Sequence, residues 1–129
     1  MKLLLDTHAV VWWWADDARL PAASRAVIAS PESTVLVSAA SAWEIATKSR
    51  LGKWPEARRI IDEFAALLRR SRFLPLAISI EHARLAGNLD VPLRDPFDRM
   101  LIAQSMLEEA TVISGDASFR GLAANVIWA

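Results

Sequence analysis

Lys2-Leu3-Leu4-Leu5-Asp6-Thr7-His8-Ala9 is the stretch on which the fold turns. Its first part is short and almost continuously apolar, the pattern of a strand buried on both faces of a parallel sheet. Asp6 stops the run, and Asp6 or Thr7 suits the cap of a helix predicted from Thr7 to Ala15. The same grammar recurs downstream. Thr34-Val35-Leu36-Val37 is β-branched and strand-like, and Ser41-Ala42-Trp43-Glu44 opens a helix to about Leu51, with Gly52 as its terminator. Thr111-Val112-Ile113-Ser114 reads as a strand closed by Gly115-Asp116. Strands alternating with helices imply βαβ units, hence a doubly wound α/β domain built on a parallel sheet.

The remaining segments fit this frame. Pro21 suits the first turn of a short helix. The clearest helix is predicted from Glu56 to about Arg70, where Ala57, Ile60, Ile61, Phe64, Leu67 and Leu68 form one apolar stripe. Phe73 to Ile78 reads as a strand, and Pro75 argues against a central place in the sheet. A helix from Ser79-Ile80-Glu81 ends near Gly87-Asn88, another runs from Asp95-Pro96 to about Glu109, and Asn125 to Trp128 makes a short last strand. With no internal repeat and no linker, residues 1–129 are expected to form one domain.

Composition narrows the function. Apolar residues make up 53% of the chain and glycine only four positions, which excludes disorder and fibrous repeats. No apolar run has the length of a membrane span, and Lys2–Leu5 is too short for a signal-peptide core. The absence of cysteine removes disulfides, thiolate metal sites and a cysteine nucleophile, and a cytoplasmic protein is the simplest expectation. Fifteen basic and fifteen acidic residues cancel, so any contact with nucleic acid must use a local patch. Lys48, Arg50, Lys53, Arg58, Arg59, Arg69, Arg70 and Arg72 offer one, or else are the solvated faces of two helices.

Asp6, Glu44, Asp98 and Asp116 each sit where a predicted strand ends or a helix begins. Strand carboxyl ends of an open α/β sheet converge on one crevice, so these acids should meet in space. Close carboxylate pairs repel by about 4 kcal/mol at the effective dielectric of protein, and oxygen-only donors point to Mg²⁺ or Mn²⁺ as the neutralising partner. Each acid also has a purely structural reading. Asp6 can cap a helix, Ser41-x-x-Glu44 has the form of a capping box, and Asp116 can make a turn. In Asp95-Pro96-Phe97-Asp98, capping accounts for Asp95 and leaves Asp98 as the favoured ligand.

These motifs resemble the PIN-domain ribonucleases, in particular the VapC-type toxins of bacterial toxin–antitoxin pairs. The resemblance rests on Leu4-Leu5-Asp6-Thr7-His8-Ala9, on Ser38-Ala39-Ala40-Ser41-Ala42-Trp43-Glu44-Ile45-Ala46, on Arg94 to Gln104, and on Val112-Ile113-Ser114-Gly115-Asp116. It implies a PIN-like three-layer α/β/α fold with a central parallel sheet. It also implies a catalytic and metal-binding quartet of Asp6, Glu44, Asp98 and Asp116, with Thr7 beside Asp6 as a support and Asp95 as a support or the alternative third acid. Arg99 and Lys48 are candidate RNA phosphate contacts, and helical geometry equally allows Arg99 to point away. The implied activity is Mg²⁺- or Mn²⁺-dependent hydrolysis of RNA phosphodiester bonds. The implied partners are a cognate VapB-type antitoxin, an RNA substrate and a second copy of the chain in a homodimer. A catalytically degenerate protein- or RNA-binding module is the alternative. An aspartate-based phosphotransferase would need a second acid where His8 stands.

His8 alone makes no catalytic constellation and reads as a packing or hydrogen-bonding residue. Trp12-Trp13-Trp14 occupies successive helical positions about 100° apart, so at least one indole should reach the surface or a partner.

Overall fold

Alternation along the first strand divides the core, because successive strand side chains point to opposite faces. The computed structural model describes residues 1–122 and 125–128. In chain order its elements are β1 (Lys2–Leu5), α1 (Thr7–Trp14), α2 (Ala22–Ala29), β2 (Thr34–Ser38), α3 (Ala39–Arg50), α4 (Arg58–Asp62), α5 (Phe64–Ser71), β3 (Leu74–Leu76), α6 (Ile80–Asn88), α7 (Pro96–Leu107), β4 (Thr111–Ile113) and β5 (Val126–Ile127). Single 3₁₀ turns stand at Pro55–Ala57 and Ala117–Phe119. The strands form one all-parallel sheet in the order β3-β2-β1-β4-β5. Leu3, Leu5, Val35, Val37 and Ile113 join a cluster with Val10, Ile28, Ile45 and Ile60. Leu4, Leu36 and Val112 join the other, with Leu101, Ile102 and Phe119. Helices therefore cover both faces, as the expected three-layer α/β/α fold requires.

Pro75 lies in β3, an edge strand, where its missing N–H costs no ladder bond on the open side. Gly52 follows α3 with φ +71, and the N–H groups of Lys53 and Gly52 donate to the carbonyls of Lys48 and Ser49, the Schellman arrangement. Pro21 caps α2 in extended backbone instead of entering its first turn. The expected last strand is present as Val126–Ile127; Ala123, Ala124 and Ala129 of that tail lie outside the described residues.

Two expectations are corrected. The helix expected unbroken from Glu56 to Arg70 is a 3₁₀ turn followed by α4 and α5, with Glu63 between them at φ −108 and ψ 15. The stripe is still right: Ala57 and Ile60 are buried, and Ile61, Phe64, Leu67 and Leu68 pack against the first cluster. A stripe specifies which side faces the core, not that the backbone stays regular. Secondly, α3 starts three residues early. β2 continues through Ser38, whose hydroxyl caps α3 by accepting from the Ala40 N–H at 3.0 Å. Ser41 lies inside the first turn, so no Ser41–Glu44 capping box forms.

A buried polar chain ties these layers together. Ser38 Oγ donates to Gln104 Oε1 at 2.5 Å, and Gln104 Nε2 donates to the Ala77 carbonyl at 3.3 Å. His82 shares a capping box with Ser79 and lies 3.0 Å from Glu108, which pairs with Lys2 at 3.6 Å. The start of α3 is thus fixed relative to α7.

Candidate functional site

From β1 the chain winds outward to β2 and β3, then returns to place β4 on the other side of β1. That reversal opens a crevice at the carboxyl ends of β1 and β4, the usual ligand position in open α/β sheets. A cavity of about 570 Å³ is found beside it. Asp6, Glu44, Asp95, Asp98 and Asp116 all line it, together with Thr7, His8 and Lys48. Residues far apart in sequence meet here because Asp6 and Asp116 lie just beyond strands, Asp95 and Asp98 begin α7, and Glu44 reaches in from α3.

Asp6 extends the ladder, its N–H donating to the Ile113 carbonyl at 3.0 Å, and then caps α1 as Oδ1 accepts from the Ala9 N–H at 2.8 Å. Only 7% of it is exposed. That burial raises its pKa above the ordinary 3.8, against the opposing hydrogen bonds from the Ser114 hydroxyl and the Ala9 N–H. Glu44 projects from the second turn of α3 and is 5% exposed. Its Oε2 meets Lys48 Nζ at 2.5 Å, one helical turn on. Lys48, expected as a phosphate contact, is therefore engaged with a carboxylate of the cavity.

Asp95 caps α7, with Oδ1 accepting from the N–H groups of Phe97 and Asp98 at 2.8 and 3.0 Å. Asp98 sits in the first turn, half-exposed, with its pKa pushed up to about 7. Burial is the largest cause, followed by the negative charges of Asp95, Glu44, Asp116 and Asp6. Asp116 Oδ1 accepts from the N–H and hydroxyl of Ser118 at 2.9 and 2.7 Å, capping the 3₁₀ turn. Capping and cavity lining thus coexist in Asp6, Asp95 and Asp116. Thr7 is buried, its Oγ1 3.0 Å from Ser41 Oγ, which joins the starts of α1 and α3.

Arg99 does not reach the cavity. Its guanidinium donates to backbone carbonyls of Ala86 at 2.9 Å, Leu93 at 2.7 Å and Leu89 at 2.5 Å, pinning the α6–α7 loop. One residue beyond Asp98 on a helix, it points about 100° away. The expected phosphate role is corrected to a structural one.

The opposite wall is aromatic and basic. Trp12, Arg19 and Trp128 line the cavity, and the Arg19 guanidinium lies 4.8 Å from the Trp12 ring centre. His8 is exposed and packs on Trp12 and Trp54 at 5.4 and 4.9 Å, in agreement with a packing role. Trp13 and Trp14 lean on Phe73, and Trp14 Nε1 donates to Ser71 Oγ at 2.7 Å. All three indoles of the triplet stay partly exposed, and Trp12 is the one that reaches the cavity. Sequence reading missed Arg19 and Trp54, which no strand-end signal marks, and Trp128, which it placed at the end of the last strand without a site role. Gly115 leaves room for this wall: a Cβ there would stand 2.6 Å from Trp128 Cε2.

Five hard oxygen donors and a raised Asp98 pKa fit a divalent cation in chemistry. Among the described residues no three acidic or histidine side chains already form a group that could hold one, so ligation needs side-chain movement. Among those residues, too, no helix is long and apolar enough to cross a membrane.

Comparison with known proteins agrees with this architecture. Ribonuclease VapC16 of Mycobacterium tuberculosis is 40% identical over 63 residues, an alignment spanning 49% of this chain and 43% of that protein. A chain of the VapBC2 complex of Rickettsia felis bound to a promoter DNA fragment has a TM-score of 0.67 at 14% identity, covering 100% of both chains. A toxin–antitoxin complex from Klebsiella pneumoniae gives 0.67 at 19%, covering 97% of this chain and 95% of that one. VapBC-1 of nontypeable Haemophilus influenzae gives 0.59 at 16%, covering 90% and 87%. These neighbours share the fold. The PIN domain family model matches residues 3–125, nearly the whole length, and the chain belongs to the PIN domain family.

Proposed function

We propose that this chain is a metal-dependent endoribonuclease, the VapC-type toxin of a toxin–antitoxin pair, acting as a single domain over residues 1–129 in the cytoplasm. The observation that carries the reading is the meeting of Asp6, Glu44, Asp98 and Asp116 in one cavity at the sheet's reversal point. The names of its relatives support it: one is a ribonuclease, and the structural neighbours come from VapBC or toxin–antitoxin complexes. On this reading the partners are an RNA substrate, a VapB-type antitoxin and a second copy of the chain.

Asp6, Glu44 and Asp98 would hold Mg²⁺ or Mn²⁺, with Asp116 and Asp95 binding directly or through water. Such an ion, when bound, supplies Lewis-acid charge to a phosphate oxygen and makes water a stronger nucleophile. The chain's own residues do the positioning. Helix caps at Asp6 and Asp95 fix where those carboxyl groups stand, and the Thr7–Ser41 bond holds the two helix starts together. Lys48 neutralises Glu44 in the metal-free state and is a cation at the cavity edge for the substrate backbone.

The test is cleavage of an RNA panel with Mg²⁺ or Mn²⁺, with EDTA, and by Asp6→Asn. Asn keeps an oxygen to cap α1, so folding should persist while cleavage disappears. Cleavage that survives both the chelator and the substitution would refute the metal mechanism. RNA bound but never cut would favour the degenerate binding module.

A further inference from the structure

We propose that the aromatic arm beside the carboxylate cavity is a base-stacking subsite for single-stranded RNA. The proposal rests on the nuclease reading for the choice of RNA; its geometry stands apart from the acids. A second cavity of about 390 Å³ adjoins the first and shares His8, Trp12, Arg19 and Lys48 with it. Lys53, Trp54 and Glu56 complete its walls.

The rings form a graded stack. Trp54 is 8% exposed and makes the floor. His8 lies over it at 4.9 Å with a 36° tilt and is itself exposed, the member of the stack a further ring would meet first. Trp12 abuts His8 at 5.4 Å and limits where that ring can lie. Cations flank the stack: Lys48 Nζ is 5.8 Å from the Trp54 ring centre, Arg19 covers Trp12, and Lys53 stands exposed at the mouth. Arg19 is already paired with Asp17 at 2.7 Å and Lys48 with Glu44 at 2.5 Å, so the charge this arm offers an incoming anion comes chiefly from Lys53.

A ligand suited to both features carries a flat ring and a neighbouring anion. A nucleotide does so, and a chain of nucleotides can reach from this arm to the carboxylates. Lys48 stands at the junction, touching Glu44 on one side and the ring stack on the other. One phosphate would lie at the acidic end while the adjacent base stacks on His8. A duplex keeps its bases stacked on each other and cannot offer one, which selects single strands or loops. Stacking on a ring face tolerates any base, so this arm would set strandedness and register rather than sequence.

The experiment measures fluorescence anisotropy of a short labelled single-stranded RNA on the Asp98→Asn protein with Mg²⁺, with wild-type cleavage followed in parallel. Removing one base at a time from the RNA should locate a single position whose loss weakens binding about tenfold, and His8→Ala should weaken the intact RNA by a similar factor. The two losses should not add. Lys53→Ala should leave the base effect intact and flatten the salt dependence of log Kd by about 0.7. Equal affinity for intact and abasic RNAs, with His8→Ala unchanged, overturns the subsite. Competition by polyglutamate as effective as that by RNA would also overturn it, since charge alone would then explain binding. Absence of wild-type cleavage alongside the base and His8 effects would sink the nuclease reading and leave the subsite standing.

Discussion

Replacing Asp98 with Asn should stabilise the metal-free protein near neutral pH, although it removes a residue of the proposed site. Asp98 is raised from 3.8 to about 7 by burial and by four neighbouring acids. Between those values the folded chain binds more protons than the unfolded one, so the contribution to stability is full below the unfolded pKa and is lost as pH rises through the folded one. At about 1.36 kcal/mol per unit, a shift of about three units corresponds to roughly 4 kcal/mol above pH 7. Asp98 is half-exposed, and solvent screening cuts that to about 2 kcal/mol. Its charge also gains about 0.5 kcal/mol from the α7 N-terminus, which Asn forfeits. The net expectation is a gain of about 1.5 kcal/mol at pH 8 in EDTA, seen as a rise in Tm of about 4–7 °C. At pH 4 both proteins carry a neutral group there and should melt together. Saturating Mg²⁺ should reverse the order, raising wild type above the variant. Equal gains at pH 4 and pH 8, or a loss at pH 8, would refute the account of repelling carboxylates.

Three further outcomes follow from other contacts. Lys48→Met leaves Glu44 buried without its cation, and urea melts in EDTA should show a loss of about 1–3 kcal/mol that saturating Mg²⁺ reduces. Arg99→Ala frees the carbonyls of Ala86, Leu89 and Leu93, and the same melts should show a loss of about 2–4 kcal/mol; Arg99→Lys should recover only part, since an ammonium cannot fork to several carbonyls. Gly115→Ala would drive a methyl against Trp128, costing about 1–3 kcal/mol and altering tryptophan fluorescence as the cavity wall shifts.

Much of the architecture was legible because strands buried on both faces leave plain marks. Lys2–Leu5 and Thr111–Ile113 are apolar runs that end at the acids of the cavity, and parallel topology turns that local fact into convergence. The dual nature of Asp95, a cap that also lines the cavity, was harder to see: local chemistry explains it fully and so masks its second role. Ser41 carried the cap signal in the sequence, and only the length of β2, which runs through Ser38, moves the start of α3 back to Ser38. Arg99 needed the fold of the 89–93 loop, which offers carbonyls that no sequence pattern announces. Arg19, Trp54 and Trp128 come from loops and from beyond the last strand, positions without periodicity, and Arg19 joins the two cavities they line only after the sheet has formed.

The caps at Asp6 and Asp95 carry one last consequence. Each of these acids begins the helix that aims it, so a frayed first turn and a misdirected carboxyl group are the same event. On the proposed reading, proofreading is then built into the backbone: a molecule whose sheet edge is out of register would present scattered charge in place of an ion trap, and a half-folded chain would leave RNA uncut until its helices had started in the right place.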